Sequence, residues 1–277
     1  MKDINIVIVN YKMKDKIEVC LETLFVELNQ SDLDVQVTVV DNNLQDDNIV
    51  LLREKFPKVY YIEQGKNVGF GKSQNKGMRS CESKYYFALN PDVIFHPNQK
   101  TIERLYQFME DNPKIGMIGP KLVYPDATLQ YSCWRYPSLF QPFFQRTKLG
   151  KTKWGKQKIA YHHMKDFDHN KTLPVDAIMG SAMFARKEAI DDVGMFDERY
   201  FMYYEDIDWS LSMWEKGWPV YYIHDILLTH IHGRGSAKVP GVFRALFKNK
   251  LARIHVKSWL KFLLKWRCKT RYYIHPN

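Results

Sequence analysis

Between Phe196 and Trp209 the chain reads F-D-E-R-Y-F-M-Y-Y-E-D-I-D-W, placing five carboxylates (Asp197, Glu198, Glu205, Asp206 and Asp208) within twelve positions. A solvated acidic run has no use for the aromatics interleaved here. From about Tyr203 the pattern turns helical, with Trp209, Trp214 and Trp218 following. On such a helix Glu205 and Asp208 share a face, while Asp206 points about 100° away. A carboxylate in a first helical turn, walled by aromatics, suits general-base chemistry. Acidic residues complementing a helix dipole are the competing explanation for any one of them. The cluster as a whole favours chemistry.

Three further stretches carry suitable groups. Gly65–Gly77 (G-K-N-V-G-F-G-K-S-Q-N-K-G) opens what reads as a helix N-terminus, where backbone N–H groups and lysines favour an anion. Its spacing does not match a Walker A loop. Asn90-Pro91-Asp92 follows an apolar run, and a carboxylate at a strand tip beside an anion-friendly loop suits a divalent cation holding a diphosphate. Asp92 is the ligand in that reading, because Asn90 carries no charge, and an N-P-D turn without a metal is the alternative. Asp41, after another apolar run, could accept a hydrogen bond from the N–H of a uracil or thymine ring, although turn chemistry also explains it. Trp134 and Arg135, in an aromatic stretch, could stack on and hydrogen-bond a sugar.

These groups need a scaffold, and the hydrophobic pattern supplies one. Ile4–Asn10, Val35–Val40, Val59–Ile62, Tyr85–Leu89 and Ile115–Val123 read as buried strands. Lys14–Leu28 and Ile49–Phe56 read as helices between the first three, which implies right-handed βαβ units. In such open sheets ligands bind beyond the carboxyl ends of the strands, where Asn10, Asp41 and Asn90 fall. Val175–Ala185 reads as one strand carrying Gly180, Lys187–Val193 as a helix, and Tyr221–His230 as a strand ending at His230. Gln141–Thr172, rich in Lys, His and Gln, reads as a mobile loop in which His162, His163 and His169 are exposed.

The chain has 277 residues and a net charge of +10, unevenly spread. After Asp225 there is no Asp or Glu but twelve Lys and Arg, leaving 29 bases against 31 acids before it. In this tail Phe243, Leu246, Phe247, Leu251, Ile254, Trp259, Leu263 and Trp266 alternate with bases at helical spacing. That predicts helices lying on an anionic membrane, with packing on the body or on a second subunit as the alternative, and the interleaved aromatics argue against nucleic acid. Four scattered cysteines without a C-x-x-C pair argue against a zinc ribbon or disulfide scaffold. No run is long enough to span a bilayer and no signal peptide is evident, so a cytoplasmic, peripherally membrane-associated protein is expected.

Taken in order, V-I-V-N-Y-K, V-V-D-N-N, N-V-G-F-G-K-S-Q-N-K-G, L-N-P-D, M-G-S-A-M-F-A-R-K-E-A-I, V-G-M-F-D-E-R-Y-F-M-Y-Y-E-D-I-D-W and H-I-H-G-R-G-S resemble family-two glycosyltransferases. Within that family the chain looks most like bacterial rhamnosyltransferases of cell-wall and surface polysaccharide synthesis. The resemblance implies a GT-A fold: α/β and Rossmann-like, with a mostly parallel central sheet flanked by helices. Its catalytic domain would span residues 1–236, with a nucleotide-sugar half to about 120 and an acceptor half beyond it. Residues 237–277 would form the basic amphipathic tail.

By the same resemblance Asn10, Asp41, Asn67, Gly69, Phe70, Lys72 and Asn90 would line the donor site. Asp92 and His230 would hold Mg²⁺ or Mn²⁺, with His232 a fallback. Asp206, beside Glu205, would be the base, and Gly180 and Ser181 would underlie the acceptor. The implied reaction is inverting transfer of L-rhamnose from dTDP-L-rhamnose, or of another sugar such as a UDP-hexose, to a polyprenyl-diphosphate-linked glycan. A homodimer is left open. Two departures stand out. Asn90 replaces the first acid of the D-x-D motif, and Ser212 replaces an arginine common after E-D-x-D, for which Arg186, Arg199 or Arg234 are candidate substitutes. A nucleotidyltransferase would want a glycine-rich loop after the first strand, which V-N-Y-K-M-K-D lacks. A non-catalytic membrane adaptor is the other rival.

Overall fold

The first strand, β1 (Lys2–Asn10), shows how the sheet is made. Ile4, Ile6 and Ile8 pack into one hydrophobic cluster and Val7 and Val9 into another, so both faces are buried at a two-residue period. The structure is a computed structural model describing residues 1–43, 47–137, 141, 144, 148–231 and 249–267. After β1 come α1 (Lys14–Leu28), β2 (Val35–Asp41), α2 (Asp47–Lys55), β3 (Tyr60–Glu63), α3 (Phe70–Met78), β4 (Ser83–Leu89) and β5 (Val93–Ile94). Next are α4 (Thr101–Asp111), β6 (Met117–Val123), β7 (Leu129–Gln130), β8 (Cys133–Trp134), a 3-10 turn (Lys148–Lys151) and α5 (Lys153–His162). The remainder is β9 (Leu173–Pro174), β10 (Ala177–Ile178), β11 (Ala182–Arg186), α6 (Lys187–Val193), α7 (Glu205–Glu215), β12 (Val220–His230) and α8 (Lys250–Trp266).

The main sheet runs β3-β2-β1-β4-β11-β6-β12-β5. Strands β3, β2, β1 and β4 are parallel, as are β6 and β12, while β11 is inserted antiparallel between β4 and β6. This mixed α/β architecture agrees with the expected fold. The antiparallel insertion decides the site geometry. It pairs Ala182 with Leu89, which brings Gly180 and Ser181 to the carboxyl end of β4. His230 pairs with Val93, so the end of β12 arrives beside Asp92.

Three expectations are corrected. Val175–Ala185 is two strands, because β10 pairs with β8 while β11 joins the main sheet, and the Gly180–Ser181 turn lies between them. The segment 141–172 contains α5, started by Thr152, whose hydroxyl accepts from the N–H of Gly155 at 3.0 Å. His162 and His169 are buried, not exposed, and burial pushes His162 down to about 3.

The tail helix is amphipathic in a different sense from that expected. Trp259 and Phe262 are buried in a cluster with Tyr200, Tyr204, Ile207 and Leu211, because these residues around α7 would otherwise meet water. Leu260 and Leu264 face outward, 47% and 66% exposed. Phe243, Leu246, Phe247, His232 and Arg234 lie outside the described residues.

Candidate active site

Asp92 and His230 converge at the sheet's carboxyl edge, with His230 Nε2 3.1 Å from Asp92 Oδ1. Gln130 on β7 holds the imidazole from behind through Nδ1 at 2.7 Å. With the glutamine carbonyl accepting from Nδ1–H, Nε2 faces the carboxylate, donating to Oδ1 when it carries a proton and offering a lone pair beside that oxygen when it does not. Two acceptors aimed at one point form an arrangement that a divalent cation satisfies. Among the described residues no three His, Cys, Asp or Glu side chains are grouped to hold a metal ion. Asp92 and His230 offer one carboxylate and one imidazole, a partial donor set that would need oxygens from a ligand to hold a cation. Burial pushes Asp92 up, but hydrogen bonding and charge from His230 and Lys16 outweigh it and hold the carboxyl below its ordinary value.

Asp206 reaches the same edge from the first turn of α7. Its Oδ2 accepts from the N–H of Gly180 at 3.0 Å and its Oδ1 from Ile207 at 2.9 Å. The neighbouring Ser181 faces the other way: its carbonyl accepts from the N–H of Asn90 at 2.9 Å, and its hydroxyl lies 3.4 Å from Asn90 Nδ2. Asn90 Nδ2 is also 3.4 Å from His230 Nε2. Two consecutive residues thus tie Asp206 to the Asn90–Asp92–His230 group. Glu205 is buried too, with Oε2 lacking a hydrogen-bond partner among the described residues. Burial, then the charge of Asp206, raises Glu205 well above its ordinary value. Burial also raises Asp206, against the pull of its backbone donors.

The turn leading into α7 is strained: Tyr203 and Tyr204 have φ of 69° and 71°, a region that costs about 1–3 kcal/mol for each non-glycine residue. Helix α8 clamps it. His255 packs against both tyrosines with ring centroids 5.1 and 5.2 Å away. Ser258 donates its hydroxyl to the carbonyl of Met202 at 2.8 Å. Asp208, two residues beyond Asp206, accepts from Lys265 at 2.7 Å, Trp266 Nε1 at 2.7 Å and the Tyr200 hydroxyl at 3.0 Å.

A cleft of about 510 Å³ opens beside β1 and β2, lined by Tyr11, Lys12, Asn42, Asn43, Gly65, Lys66 and Asn67. Asp41 adjoins it, its Oδ1 accepting from Asn10 at 2.9 Å and from Asn43 at 2.8 Å. Asn67 Oδ1 takes the N–H of Gly69 at 3.0 Å. Gly69 has φ of +97°, and a Cβ there would lie 2.2 Å from the carbonyl oxygen of Phe201. That contact, with the Phe70 N–H donating to the same oxygen at 2.9 Å, locks the glycine loop to the acidic segment. Phe70 reaches the Gly180 turn on the Asp206 side, its ring edge 3.6 Å from a Cβ built on Gly180. Lys72 reaches Glu198 at 3.7 Å and does not line the cleft.

Arg135 does not present its guanidinium to an acceptor. It is 5% exposed, makes a two-pronged pair with Asp166 at 2.7 and 3.0 Å, and lies over the Tyr161 ring. Trp134 is half-buried against His162 and His163. Arg186 supports the fold, donating to the Tyr85 hydroxyl and the Ile115 carbonyl, each at 3.0 Å. Arg199 pairs with Asp197, and the Ser212 hydroxyl donates to the Asp208 carbonyl at 2.8 Å. Neither described arginine takes the place of the one Ser212 replaces. Sequence reasoning missed Gln130, whose lone polar side chain on a short strand carries no pattern. It also missed Lys12, Lys16 and Lys66. Lys16 does leave a signal, a cation in the first turn of a helix.

An α/β sheet with an antiparallel strand joining two parallel halves, and a carboxylate group at its edge, matches known proteins at three levels. The model of glycosyl transferase family 2 matches residues 5–193, and the chain belongs to that family. The N-acetylglucosaminyl-diphospho-decaprenol L-rhamnosyltransferase of Mycobacterium tuberculosis (strain ATCC 25618 / H37Rv) is 26% identical over 247 residues, 84% of this chain and 79% of the relative. The dTDP-rhamnosyl transferase RfbF of Shigella flexneri is 28% identical over 227 residues, 80% of this chain and 68% of the relative. In fold, the chain is similar to the mannosyltransferase PcManGT of Pyrobaculum calidifontis, solved with GDP-Man and Mn²⁺. That similarity has a TM-score of 0.56 at 13% identity, over 98% of this chain and 79% of that one. The protein is a glycosyltransferase of GT-A fold resembling rhamnosyltransferases.

Proposed function

We propose that the chain transfers L-rhamnose from dTDP-L-rhamnose, with inversion, to a glycan carried on a polyprenyl diphosphate. The observation that carries this reading is the pairing of Asp206 with Gly180 and of Asn90 with Ser181, which sets a base and a diphosphate site on opposite sides of one turn. The names of the mycobacterial and Shigella relatives support rhamnosyl, dTDP and a lipid-linked acceptor. The cleft beside Asp41 takes the nucleoside, and Asn10 and Asn43 fix the carboxylate next to it. Gly69 and Phe70 tie the glycine loop to the segment that carries the base, through the carbonyl of Phe201. A divalent cation held by Asp92 and His230 would neutralise charge on the departing diphosphate. Asp206 takes the proton of the acceptor hydroxyl as that oxygen attacks the anomeric carbon from the face opposite the leaving group. The new C–O bond forms as the bond to the diphosphate breaks, so configuration inverts in one displacement.

Residues 1–236 form the catalytic unit in this reading, and the tail brings it to the membrane that carries the acceptor. The outer face of α8 suits that task, since Lys257, Leu260, Lys261, Leu264 and Arg267 are exposed at helical spacing without an acid among them. In Asp206→Asn the transfer rate should fall by about 10²–10⁴-fold, the usual contribution of a general base, while donor binding measured by calorimetry persists. Near-normal turnover would remove Asp206 from this role.

A further inference from the structure

Among the described residues, Lys16 is a cation beside Asp92 whose place follows from no motif. It stands in the first turn of α1, where a positive charge opposes the helix dipole and weakens the helix. Its Nζ lies 3.2 Å from Asp92 Oδ2 and 3.1 Å from the carbonyl of Ile231, the residue after His230. Asp92 is therefore shared, with His230 at Oδ1 and Lys16 at Oδ2. Two of the three ammonium donors are engaged, and the side chain is 32% exposed on a flexible stem.

The charge around this point decides what Lys16 does. The position of a first acid holds Asn90, so the immediate group is one carboxylate, one ammonium and one imidazole. It is neutral or positive before any metal arrives. A site with two carboxylates repels a diphosphate until a cation is bound, whereas this one does not. We propose that Lys16 is a direct ligand of the donor's diphosphate and the resident counter-ion of Asp92, so that a nucleoside diphosphate binds even when divalent metal is absent. Metal and ammonium are then alternative partners of the same carboxylate. The inference rests on the donor-site reading given above and adds to it a protein-borne cation that works beside the metal.

Calorimetric titration of dTDP and of dTMP, in EDTA and in Mn²⁺, tests this with wild type, Lys16→Met and Lys16→Arg. Wild type is expected to bind dTDP in EDTA. Lys16→Met should weaken that binding about ten- to a hundredfold, the worth of one charge-assisted hydrogen bond, with a smaller loss in Mn²⁺. Lys16→Arg should retain most of it, and dTMP, which lacks the β-phosphate, should respond less to Lys16→Met. With its competitor removed, Lys16→Met should also bind Mn²⁺ alone more tightly, read by electron paramagnetic resonance. Equal dTDP affinity of wild type and Lys16→Met in EDTA would overturn the proposal, as would a wild type that binds dTDP only with Mn²⁺. Failure of wild type to bind any of dTDP, UDP and GDP under either condition would instead sink the donor-site reading, and Lys16's role with it.

Discussion

Glu205 and Asp206 are neighbours in the chain, yet their carboxylates receive different treatment. Asp206 accepts two backbone N–H groups, which stabilise its ionised form, whereas Glu205 Oε2 has no hydrogen-bond partner among the described residues. Both are raised by burial, and Glu205 also by the charge of Asp206, so in the proposed reaction Glu205 is the member that holds a proton and Asp206 the member that accepts one. This separates two acids that the sequence offers as equals. Because protonation silences a base, activity is lost as pH falls through the raised value of Asp206. The acid limb of kcat/KM should therefore lie above the ordinary aspartate value of 3.8. Glu205→Gln, which mimics the protonated acid, should keep that limb, and Asp206→Asn should abolish it. A limb that vanishes in Glu205→Gln would reverse the assignment.

At the scale of elements, the catalytic turn is held from outside by α8. Lys265 is the principal counter-ion of Asp208, whose carboxylate is 2% exposed. Lys265→Met should destabilise the protein by about 3–5 kcal/mol, as expected when a buried pair loses one partner. Adding Asp208→Asn should restore part of that loss in urea denaturation, since no unpaired charge then remains. If both variants unfold like wild type, the brace carries no energy.

How much of this was legible depended on whether pattern or partner fixed the element. β1, α1 and α6 follow from apolar periodicity, and Lys14–Leu28 and Lys187–Val193 match the expected bounds. Asp92, His230 and Asp206 were legible because strand tips and an acidic first turn mark positions, not contacts. Helix α5 was not, since Gly155 and its lysines weaken the signal and only the Thr152 cap announces it. The inner face of α8 was read as lipid-facing because an apolar stripe does not say what covers it. Arg135 looked available for the same reason, its partner Asp166 being 31 residues away.

Across the whole molecule, charge is sorted. A body near neutrality carries a cationic terminal segment whose described helix turns Lys257, Leu260, Leu264 and Arg267 outward. The proposed membrane contact predicts co-sedimentation with phosphatidylglycerol vesicles and not with purely zwitterionic ones. At about 1 kcal/mol per basic residue, Lys257→Gln with Arg267→Gln should weaken partitioning roughly thirtyfold. Equal binding by wild type and the double variant would take the outer face of α8 out of the interaction. β11 carries a different consequence. The residues leading into it hold Asp206 on one side and Asn90 on the other, so in the proposed reaction the alignment of the two partners is set by one stretch of backbone. The loops at 11–12, 42–43 and 65–67 that line the cleft proposed for the nucleoside lie outside that grip. Descendants of such a molecule can trade one sugar nucleotide for another by rewriting those loops, and keep their aim.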